Sequence, residues 1–277
     1  MVEVIANAEL FDGETMRGRV DVVIDRGVIV GIDAAGHKPP ADVEVLDLHG
    51  MLLAPGFIDV QVNGGGGTLF NNDPTVEGLA RIAAAHRNFG STTLIPTVIT
   101  DTTEVFDAAA QAVHAAIAVN LPGIRGVHFE GPCLNPERKG VHRESDFRPL
   151  DDDLLEIYSR RDLGAVVVTL APERVAIDQI KALAERGVLV SAGHTAADHF
   201  LIVEALANGL RGFTHLHNAM SPMSNREPGV VGAALDDGFS WCGLIVDGHH
   251  LHDATARNTL RAKKHSKVML VTDAMST

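Results

Sequence analysis

The sequence predicts an α/β fold in which a (β/α)8, TIM-like barrel follows a small N-terminal β-sandwich module. From residue 57 onward, apolar runs with few charges alternate with alanine-rich stretches of helical pattern. Strands that are apolar throughout are buried on both faces, as in a parallel sheet covered by helices. Polar residues recur at the C-terminal ends of these runs, where a barrel carries its active site. This recurrence favours the barrel over the alternative, an open doubly wound sheet.

The first 54 residues predict the β module. Short β-rich segments are separated by turn signals at Asp12-Gly13 and Arg26-Gly27. These segments are residues 2–6, 19–24, 28–32 and 43–48. None of them is long enough to carry a domain core alone. We therefore expect a small β module at 1–54 and the barrel at 55–277.

Eight apolar runs predict the barrel strands, and helical patterns lie between them. The runs are residues 57–62, 91–98, 123–129, 164–170, 187–192, 212–216, 241–246 and 267–272. The helical patterns are residues 74–89, 103–120, 173–186, 196–208 and 252–264. The sequence ends directly after the eighth run, without the last helix of a closed barrel. We therefore expect the barrel to be incomplete, with its C-terminal part missing from this chain.

Composition excludes several classes of protein. The chain has 277 residues, a formal net charge of −13 and 45% hydrophobic residues, which excludes a disordered chain. The negative charge argues against a nucleic-acid or anionic-membrane partner. No apolar run approaches the ~18 residues of a membrane span, and the first residues show no secretory leader pattern. With only two cysteines, Cys133 and Cys242, we expect a reducing compartment and a cytoplasmic protein.

Side chains that bind metals and move protons follow the predicted strands. The chain holds 14 histidines, against one Tyr and one Trp, and histidine is the commonest metal ligand. The strand-end segments are QVN at 61–63, HFEGP at 128–132, SAGHT at 191–195, THLHNAM at 214–220, DGHH at 247–250 and VTDA at 271–274. Nitrogen and oxygen ligands with a free carboxylate nearby suit a hydrolytic metal site.

These segments resemble the amidohydrolase superfamily, and within it the family of N-acetylglucosamine-6-phosphate deacetylases. The matching segments, in the family's order along the chain, are PGFID at 55–59, HFEGP at 128–132, GHT at 193–195, HLHNAM at 215–220, REPG at 226–229 and TDA at 272–274. One departure is Gln61-x-Asn63, which stands where the superfamily usually has His-x-His. A branch of the deacetylase family with this replacement binds a single metal, so the resemblance implies one metal ion.

The resemblance implies roles for the matched residues. Glu130, His194 and His215 are expected to bind one divalent metal ion, with Zn²⁺ preferred and Fe²⁺, Co²⁺ or Mn²⁺ as alternatives. Asp273 is expected to act as general base and acid, taking a proton from the attacking water and returning it to the leaving amine. His128 shares one side of its strand with Glu130 and is expected to lie behind the ligands.

The resemblance also implies the substrate contacts. His250 is expected beside the sugar and the reacting carbonyl, as a second catalytic residue. Arg226 is expected to pair with the 6-phosphate from a neighbouring subunit, which implies a homodimer. The expected substrate-binding positions are Gln61, Val141, His142, Asn218, Ala219, Arg226 and His250. The implied reaction converts N-acetylglucosamine 6-phosphate to glucosamine 6-phosphate and acetate, in amino-sugar catabolism and cell-wall recycling.

Two other functions stay open at this point. A cyclic-amide hydrolase of the same superfamily usually has a carboxylated lysine at the fourth strand, and the run at 164–170 contains no lysine. A sugar-phosphate-binding protein without catalysis is the second alternative. The full set of chemical residues argues against it, but the missing C-terminal part keeps it open.

Two features near the expected site have alternative interpretations. Cys133 is either a thiol that reaches the site and is oxidised or binds metal, or a small residue packed in its loop. The glycine run at 64–67 matches no phosphate-binding motif, and it predicts flexible or closely packed backbone beside the site.

Overall fold

Residues 2–36 and 43–276 are described by the computed structural model, in which the chain divides into two compact units, Met1–Phe57 and Ile58–Thr277. The first unit contains the strands β1 (Val2–Phe11), β2 (Met16–Asp25), β3 (Val28–Ala34), β4 (Glu44–Asp47) and β5 (Leu52–Leu53). β2 pairs antiparallel with both β1 and β3, while β4 and β5 lie parallel to β1. This module is one mixed sheet, and a second sheet of the predicted sandwich does not occur among its described residues.

The hairpin between β2 and β3 shows why the chain turns at the predicted Arg26-Gly27. Asp25 pairs with Val28, and the two residues between them have φ values of 49° and 76°. Two successive positive φ values match the twist of the flanking strands, and glycine adopts such a conformation at low cost. The core of the sheet is formed by Leu10, Val20 and Val22.

The rest of the chain alternates strands and helices. The strands are β6 (Phe57–Val62), β7 (Gly64–Gly65), β8 (Thr68–Leu69), β9 (Ser91–Ile99), β10 (Gly126–Glu130), β11 (Ala165–Leu170), β12 (Leu189–Ala192), β13 (Leu210–Phe213), β14 (Trp241–Leu244) and β15 (Val268–Leu270). The helices are α1 (Val76–Arg87), α2 (Thr103–Ala118), α3 (Asp152–Tyr158), α4 (Ile177–Glu185), α5 (His199–Ala207), α6 (Gly229–Asp236) and α7 (Asp253–Ala262). Among the helices described, none has the length and apolar character needed to cross a membrane.

Eight strands form one sheet in the order β6-β9-β10-β11-β12-β13-β14-β15, and all pairings from β9 to β15 are parallel. The predicted barrel is therefore confirmed, and each of the eight predicted runs overlaps a strand. Three strands end earlier than predicted. The run at 212–216 ends as a strand at Phe213, the run at 241–246 at Leu244, and the run at 267–272 at Leu270. The residues beyond these ends form the turns that carry the candidate site.

The sequence patterns do not predict α3 and α6. α3 has seven residues, which is too short for a clear helical periodicity, although the Asp151 side chain caps it by accepting from the Leu154 amide at 2.9 Å. α6 is buried along most of its length, so it lacks the polar face that makes a helix visible in a sequence.

Alternation along β10 separates the core from the barrel interior. Phe129 packs outward against Phe106 of α2 and Tyr158 of α3, with ring centroids 5.8 and 4.8 Å away. Successive side chains of a strand point to opposite faces, so His128 and Glu130 point inward. The Tyr158 hydroxyl donates to the Gly131 carbonyl at 2.7 Å and holds the turn that follows Glu130. The outer core thus fixes the strand end that carries an expected ligand.

The barrel closes where its first and last strands meet, at a contact that we call the seam (residues 59–64 and 272–274). A single parallel bridge joins Val62 to Ala274 among the described residues. The Asp59 carboxylate accepts hydrogen bonds from the Thr272 amide at 3.2 Å and from its hydroxyl at 2.6 Å. Burial raises the pKa of Asp59, and these hydrogen bonds oppose that rise. The seam therefore depends on side chains as well as on backbone pairing.

Candidate metal centre and active site

The barrel brings the expected metal ligands to one mouth. Glu130 is the last residue of β10, while His194 and His215 each lie two residues beyond the end of β12 and β13. All three side chains are buried, and the C-terminal ends of neighbouring parallel strands point the same way. Both histidines have positive φ, 49° and 34°. Such backbone strain is common where a site is held in a fixed geometry.

The three side chains converge on a point. Glu130 Oε1 lies 3.0 Å from His194 Nε2 and 3.2 Å from His215 Nε2, and the two Nε2 atoms are 3.0 Å apart. Zn²⁺ binds nitrogen and oxygen ligands at about 2.0–2.2 Å in tetrahedral sites, which places two ligand atoms roughly 3.3 Å apart. Two imidazole nitrogens in contact also require a proton or a cation between their lone pairs. The cluster therefore fits a divalent metal ion.

Electrostatics around the cluster also suit a cation. Burial alone would raise the pKa of Glu130, but hydrogen bonds from His194 and His215 hold it well below its ordinary value. Burial would lower the pKa of His215, but its hydrogen bond to Glu130 and the negative charges of Glu130 and Asp273 together raise it. The Nδ1 atom of His215 is buried without a hydrogen-bond partner in the described structure. A positive charge beside Glu130 is therefore favoured, whether it comes from a proton or from a metal ion.

His194 and the residues after it are held by groups on two neighbouring loops. Its Nδ1 donates to the Arg138 carbonyl at 2.8 Å, so Nε2 is the nitrogen that would supply a lone pair to a metal ion. The Glu173 carboxylate accepts from the Ala196 amide at 2.6 Å and from the Thr195 hydroxyl at 2.5 Å. The sequence patterns do not identify Glu173. Its only signal is a carboxylate three residues beyond the end of β11, at the site's edge of the barrel.

His142 lies directly beside the cluster. Its ring centroid is 4.4 Å from that of His194, and its Nε2 is 4.0 Å from Glu130 Oε1. Burial lowers the pKa of His142 to about 4, so the ring is neutral at pH 7. The Thr100 amide donates to Nδ1 at 3.3 Å, which places the ring proton on Nε2. His142 can therefore donate a hydrogen bond into the site, and Thr100 is a second supporting residue that the sequence patterns miss.

Two amide side chains, Gln61 within β6 and Asn63 directly after it, contact the two carboxylates of the site. Gln61 Nε2 donates to Glu130 Oε2 at 3.3 Å, and Asn63 Nδ2 donates to Asp273 Oδ1 at 2.6 Å. Burial raises the pKa of Asp273 to about 6, and the negative charge of Glu130 adds to the rise. Asp273 is therefore a carboxylate whose pKa lies close to neutral pH, as suits a general base.

His128 lies inside the barrel and does not face the cluster. Its Nδ1 donates to the Val60 carbonyl at 3.1 Å, and its Nε2 accepts from the Thr169 hydroxyl at 2.7 Å. Burial lowers the pKa of His128, which keeps the ring neutral. Both ring nitrogens are thus used by the barrel interior, beneath Glu130.

The remaining expected substrate contacts lie on loops at the barrel mouth. His250 is half-exposed, and its Nδ1 pairs with Asp247 Oδ2 at 2.7 Å. The Asp247 carboxylate also accepts from the amides of residues 249 and 250, and these hydrogen bonds lower its pKa. The other positions are Val141 and Arg226, both exposed, and Asn218 and Ala219, both half-buried in the turn after β13. Asp247, which orients His250, lies in the strand-end segment DGHH, but the sequence patterns assign it no role of its own.

Both cysteines are buried, which supports the packing interpretation of Cys133. Burial raises the pKa of Cys133 to about 12 and that of Cys242 to about 11, so neither forms a thiolate at neutral pH. We predict that neither thiol of the native chain reacts with Ellman's reagent, whereas both react after denaturation. The readout is the absorbance of the released thiolate. Rapid labelling of Cys133 in the native chain, with loss of metal, would support the redox interpretation instead.

Comparison with known proteins agrees with the site. The sequence model of the amidohydrolase family matches residues 52–276. The N-acetylgalactosamine-6-phosphate deacetylase of Shewanella sp. (strain ANA-3) is 45% identical over 92% of this chain and 65% of its own length. The N-acetylglucosamine-6-phosphate deacetylase of Haemophilus influenzae is 35% identical over 93% of this chain and 69% of its own length.

A solved structure shows the same fold. The crystal structure of N-acetylglucosamine-6-phosphate deacetylase from Pasteurella multocida superimposes with a TM-score of 0.94 at 34% identity, covering 100% of this chain and 72% of that one. The chain thus spans about two thirds of the length of the relatives it matches. The family match and the relatives confirm the resemblance predicted from the sequence. The chain belongs to the amidohydrolase family, in the group formed by these deacetylases.

Proposed function

We propose that the chain hydrolyses the N-acetyl group of N-acetylglucosamine 6-phosphate, giving glucosamine 6-phosphate and acetate. The observation that carries the proposal is the convergence of Glu130, His194 and His215 at the barrel mouth, with Asp273 in the turn after β15 at the same mouth. The reaction named for the relatives supports it. The role in the cell would be amino-sugar catabolism and cell-wall recycling.

The residues divide the chemistry between them. Glu130, His194 and His215 would hold one divalent ion, Zn²⁺ in our proposal, which polarises a carbonyl and lowers the pKa of water when bound. The Asp273 carboxylate takes the proton of the attacking water and gives it to the amine nitrogen as the amide bond breaks. The neutral His142 ring, with its proton on Nε2, donates to substrate oxygen.

The loops at the mouth orient the sugar. Asp247 accepts from His250 Nδ1 at 2.7 Å, which leaves Nε2 as the atom available to the reacting carbonyl. Arg226 pairs with the 6-phosphate through the parallel donors of its guanidinium group. The further contacts that we propose are Gln61, Val141, Asn218 and Ala219. We propose that the protein is a cytoplasmic homodimer in which Arg226 reaches the site of the neighbouring copy. In each copy, residues 1–54 would form the β module and residues 55–277 the barrel.

A second candidate substrate is the 4-epimer, N-acetylgalactosamine 6-phosphate. The relative named for this substrate is 45% identical to the chain, against 35% for the relative from Haemophilus influenzae. The acetamide and the phosphate are the same in both sugars, so Glu130, His194, His215 and Asp273 would perform the same reaction. The two candidates differ only at the hydroxyl on carbon 4.

Acetate release tests the proposal directly. The purified chain is supplied with Zn²⁺ and incubated with N-acetylglucosamine 6-phosphate, its 4-epimer or unphosphorylated N-acetylglucosamine. We expect release from the first and little from the unphosphorylated sugar, because the phosphate supplies binding energy. Faster acetate release from the 4-epimer would identify N-acetylgalactosamine 6-phosphate as the preferred substrate. Absence of acetate release from both phosphorylated sugars would contradict the proposed function.

A further inference from the structure

Asn63 makes the shortest side-chain contact to Asp273 that the described structure shows. It directly follows β6, is almost fully buried, and donates from Nδ2 to Asp273 Oδ1 at 2.6 Å and to the Asp273 carbonyl at 3.3 Å. Hydrogen bonds of this length are typical of an ionised acceptor. One amide group therefore holds both the side chain and the backbone of the expected base.

The backbone of Asn63 is itself fixed on both sides. The amides of Asn63 and Gly64 both donate to the Ala274 carbonyl at 2.9 Å, and the Phe70 amide donates to the Asn63 carbonyl at 2.9 Å. His86 Nε2 donates to the Gly64 carbonyl at 2.9 Å from helix α1. Asn63 is therefore attached to the segment that it positions and, through the next residue, to the outer helices.

The glycine run explains how two backbones approach so closely here. A Cβ atom at Gly64 would lie 2.3 Å from the Thr68 carbonyl oxygen and 3.1 Å from the Ser276 backbone. The Gly67 amide donates to the Ser276 carbonyl at 2.8 Å. Residues 64–67 are thus closely packed against residues 274–276, and this packing brings Asn63 within reach of Asp273.

Asp273 needs such support because its own backbone is strained. Its φ is 50°, in the left-handed region, where a residue with a side chain is strained. Its amide donates to the Gln61 carbonyl at 2.9 Å. A displacement of about 1 Å at a reacting group can cost roughly 100-fold in rate. The direction of the carboxylate therefore depends on its hydrogen-bond partner.

We propose that Asn63 is a positioning residue that holds the Asp273 carboxylate in its working direction relative to Glu130, His194 and His215. The inference rests on the proposed function, because it gives Asn63 a task in that reaction. Asn63 makes this contact through its amide Nδ2, while its Oδ1 is buried without a hydrogen-bond partner in the described structure.

The kinetic test compares four chains saturated with Zn²⁺: wild type, Asn63→Ala, Asn63→Asp and the control Asn7→Ala. Asn7 also donates to an aspartate, Asp47, at 3.0 Å, but in the N-terminal sheet. We expect Asn63→Ala to lower kcat about 10- to 100-fold with little change in KM, and Asn63→Asp to lower it further. The aspartate has the same shape but replaces the donor by a charge. Asn7→Ala is expected to keep kcat, and all four chains to keep one metal ion.

A spectroscopic readout tests the contact without turnover. The side-chain amide signal of Asn63, assigned by its loss in Asn63→Ala, is expected to shift in the NMR spectrum of Asp273→Ala. An unmoved signal, or an Asn63→Ala chain that keeps kcat within about 3-fold of wild type, overturns the inference. A wild-type chain that releases no acetate overturns the proposed function, and the NMR signal then decides the contact alone.

Discussion

Replacing Asp273 by Asn is expected to lower kcat for acetate release by about 10²- to 10⁴-fold, the usual contribution of general acid–base catalysis. The substitution keeps the shape of the side chain and removes its ability to accept a proton from water. Metal content should stay at one ion per chain, because Asp273 is not part of the converging cluster of Glu130, His194 and His215. The measurement pairs acetate release with metal analysis of the same sample.

The matched control for this prediction is Asp236→Asn, at the exposed end of α6. It removes the same charge from the chain and is expected to leave kcat unchanged. An Asp273→Asn chain that retains more than about a tenth of wild-type kcat would exclude Asp273 as the base.

The pH dependence of kcat/KM should report the same carboxylate. Burial raises the pKa of Asp273 to about 6, and below its pKa the protonated group cannot accept a proton. The rate is therefore expected to fall as the pH decreases, with a midpoint at or below about pH 6, because a bound cation stabilises a nearby carboxylate. The acid limb should disappear in Asp273→Asn. A limb centred above pH 7 would point to another group.

Replacing Glu130 by Gln is expected to abolish both metal binding and acetate release. Glu130 Oε1 lies within 3.2 Å of both Nε2 atoms of the histidine pair, so its loss removes the negative charge that a cation would meet. Loss of an outer partner of a metal ligand costs ~10–100-fold in affinity, and loss of a ligand should cost more. Metal content after dialysis is the measurement, with Glu204→Gln on the exposed side of α5 as the control. A stoichiometrically loaded Glu130→Gln chain would refute the assigned cluster.

Metal affinity should also depend on pH in a defined direction. Burial would lower the pKa of His215, but its hydrogen bond to Glu130 and the negative charges of Glu130 and Asp273 together raise it. A raised pKa means that the ring keeps its proton to a higher pH, and that proton competes with the metal. Affinity is therefore expected to fall as the pH decreases through the pKa of His215, with proton release on binding. Calorimetry in two buffers of different ionisation enthalpy measures the protons. Binding without proton release would contradict a protonated His215.

The sequence is informative where a residue acts through its position in a strand. Glu130 follows Phe129, and one residue packs into the outer core while the other points inward. His194, His215 and Asp273 follow strand ends, so their arrival at one mouth could be predicted from parallel topology alone. Their left-handed backbone could not be predicted, because no local pattern requires a histidine or an aspartate at positive φ.

Supporting partners leave much weaker signals. His194 is oriented by the carbonyl of Arg138, and any residue at that position would offer the same carbonyl. Glu173 and Thr100 act through contacts with residues distant in sequence, which a period of two or 3.6 residues does not encode. Asn63 is visible in the sequence only as part of a departure from His-x-His. Its task becomes apparent once the seam brings residue 273 beside it.

The candidate active site includes the seam, where local unfolding would affect Asp273. Among the described residues the first and last barrel strands share one bridge, whereas β10 and β11 share five paired positions. Local opening of the seam would break this bridge and would separate Asn63 from Asp273. The expected metal ligands Glu130, His194 and His215, at the ends of β10, β12 and β13, do not belong to the seam. On heating, the chain is therefore expected to lose acetate release at a temperature at which it still retains its metal ion. On cooling, acetate release is expected to return without added metal.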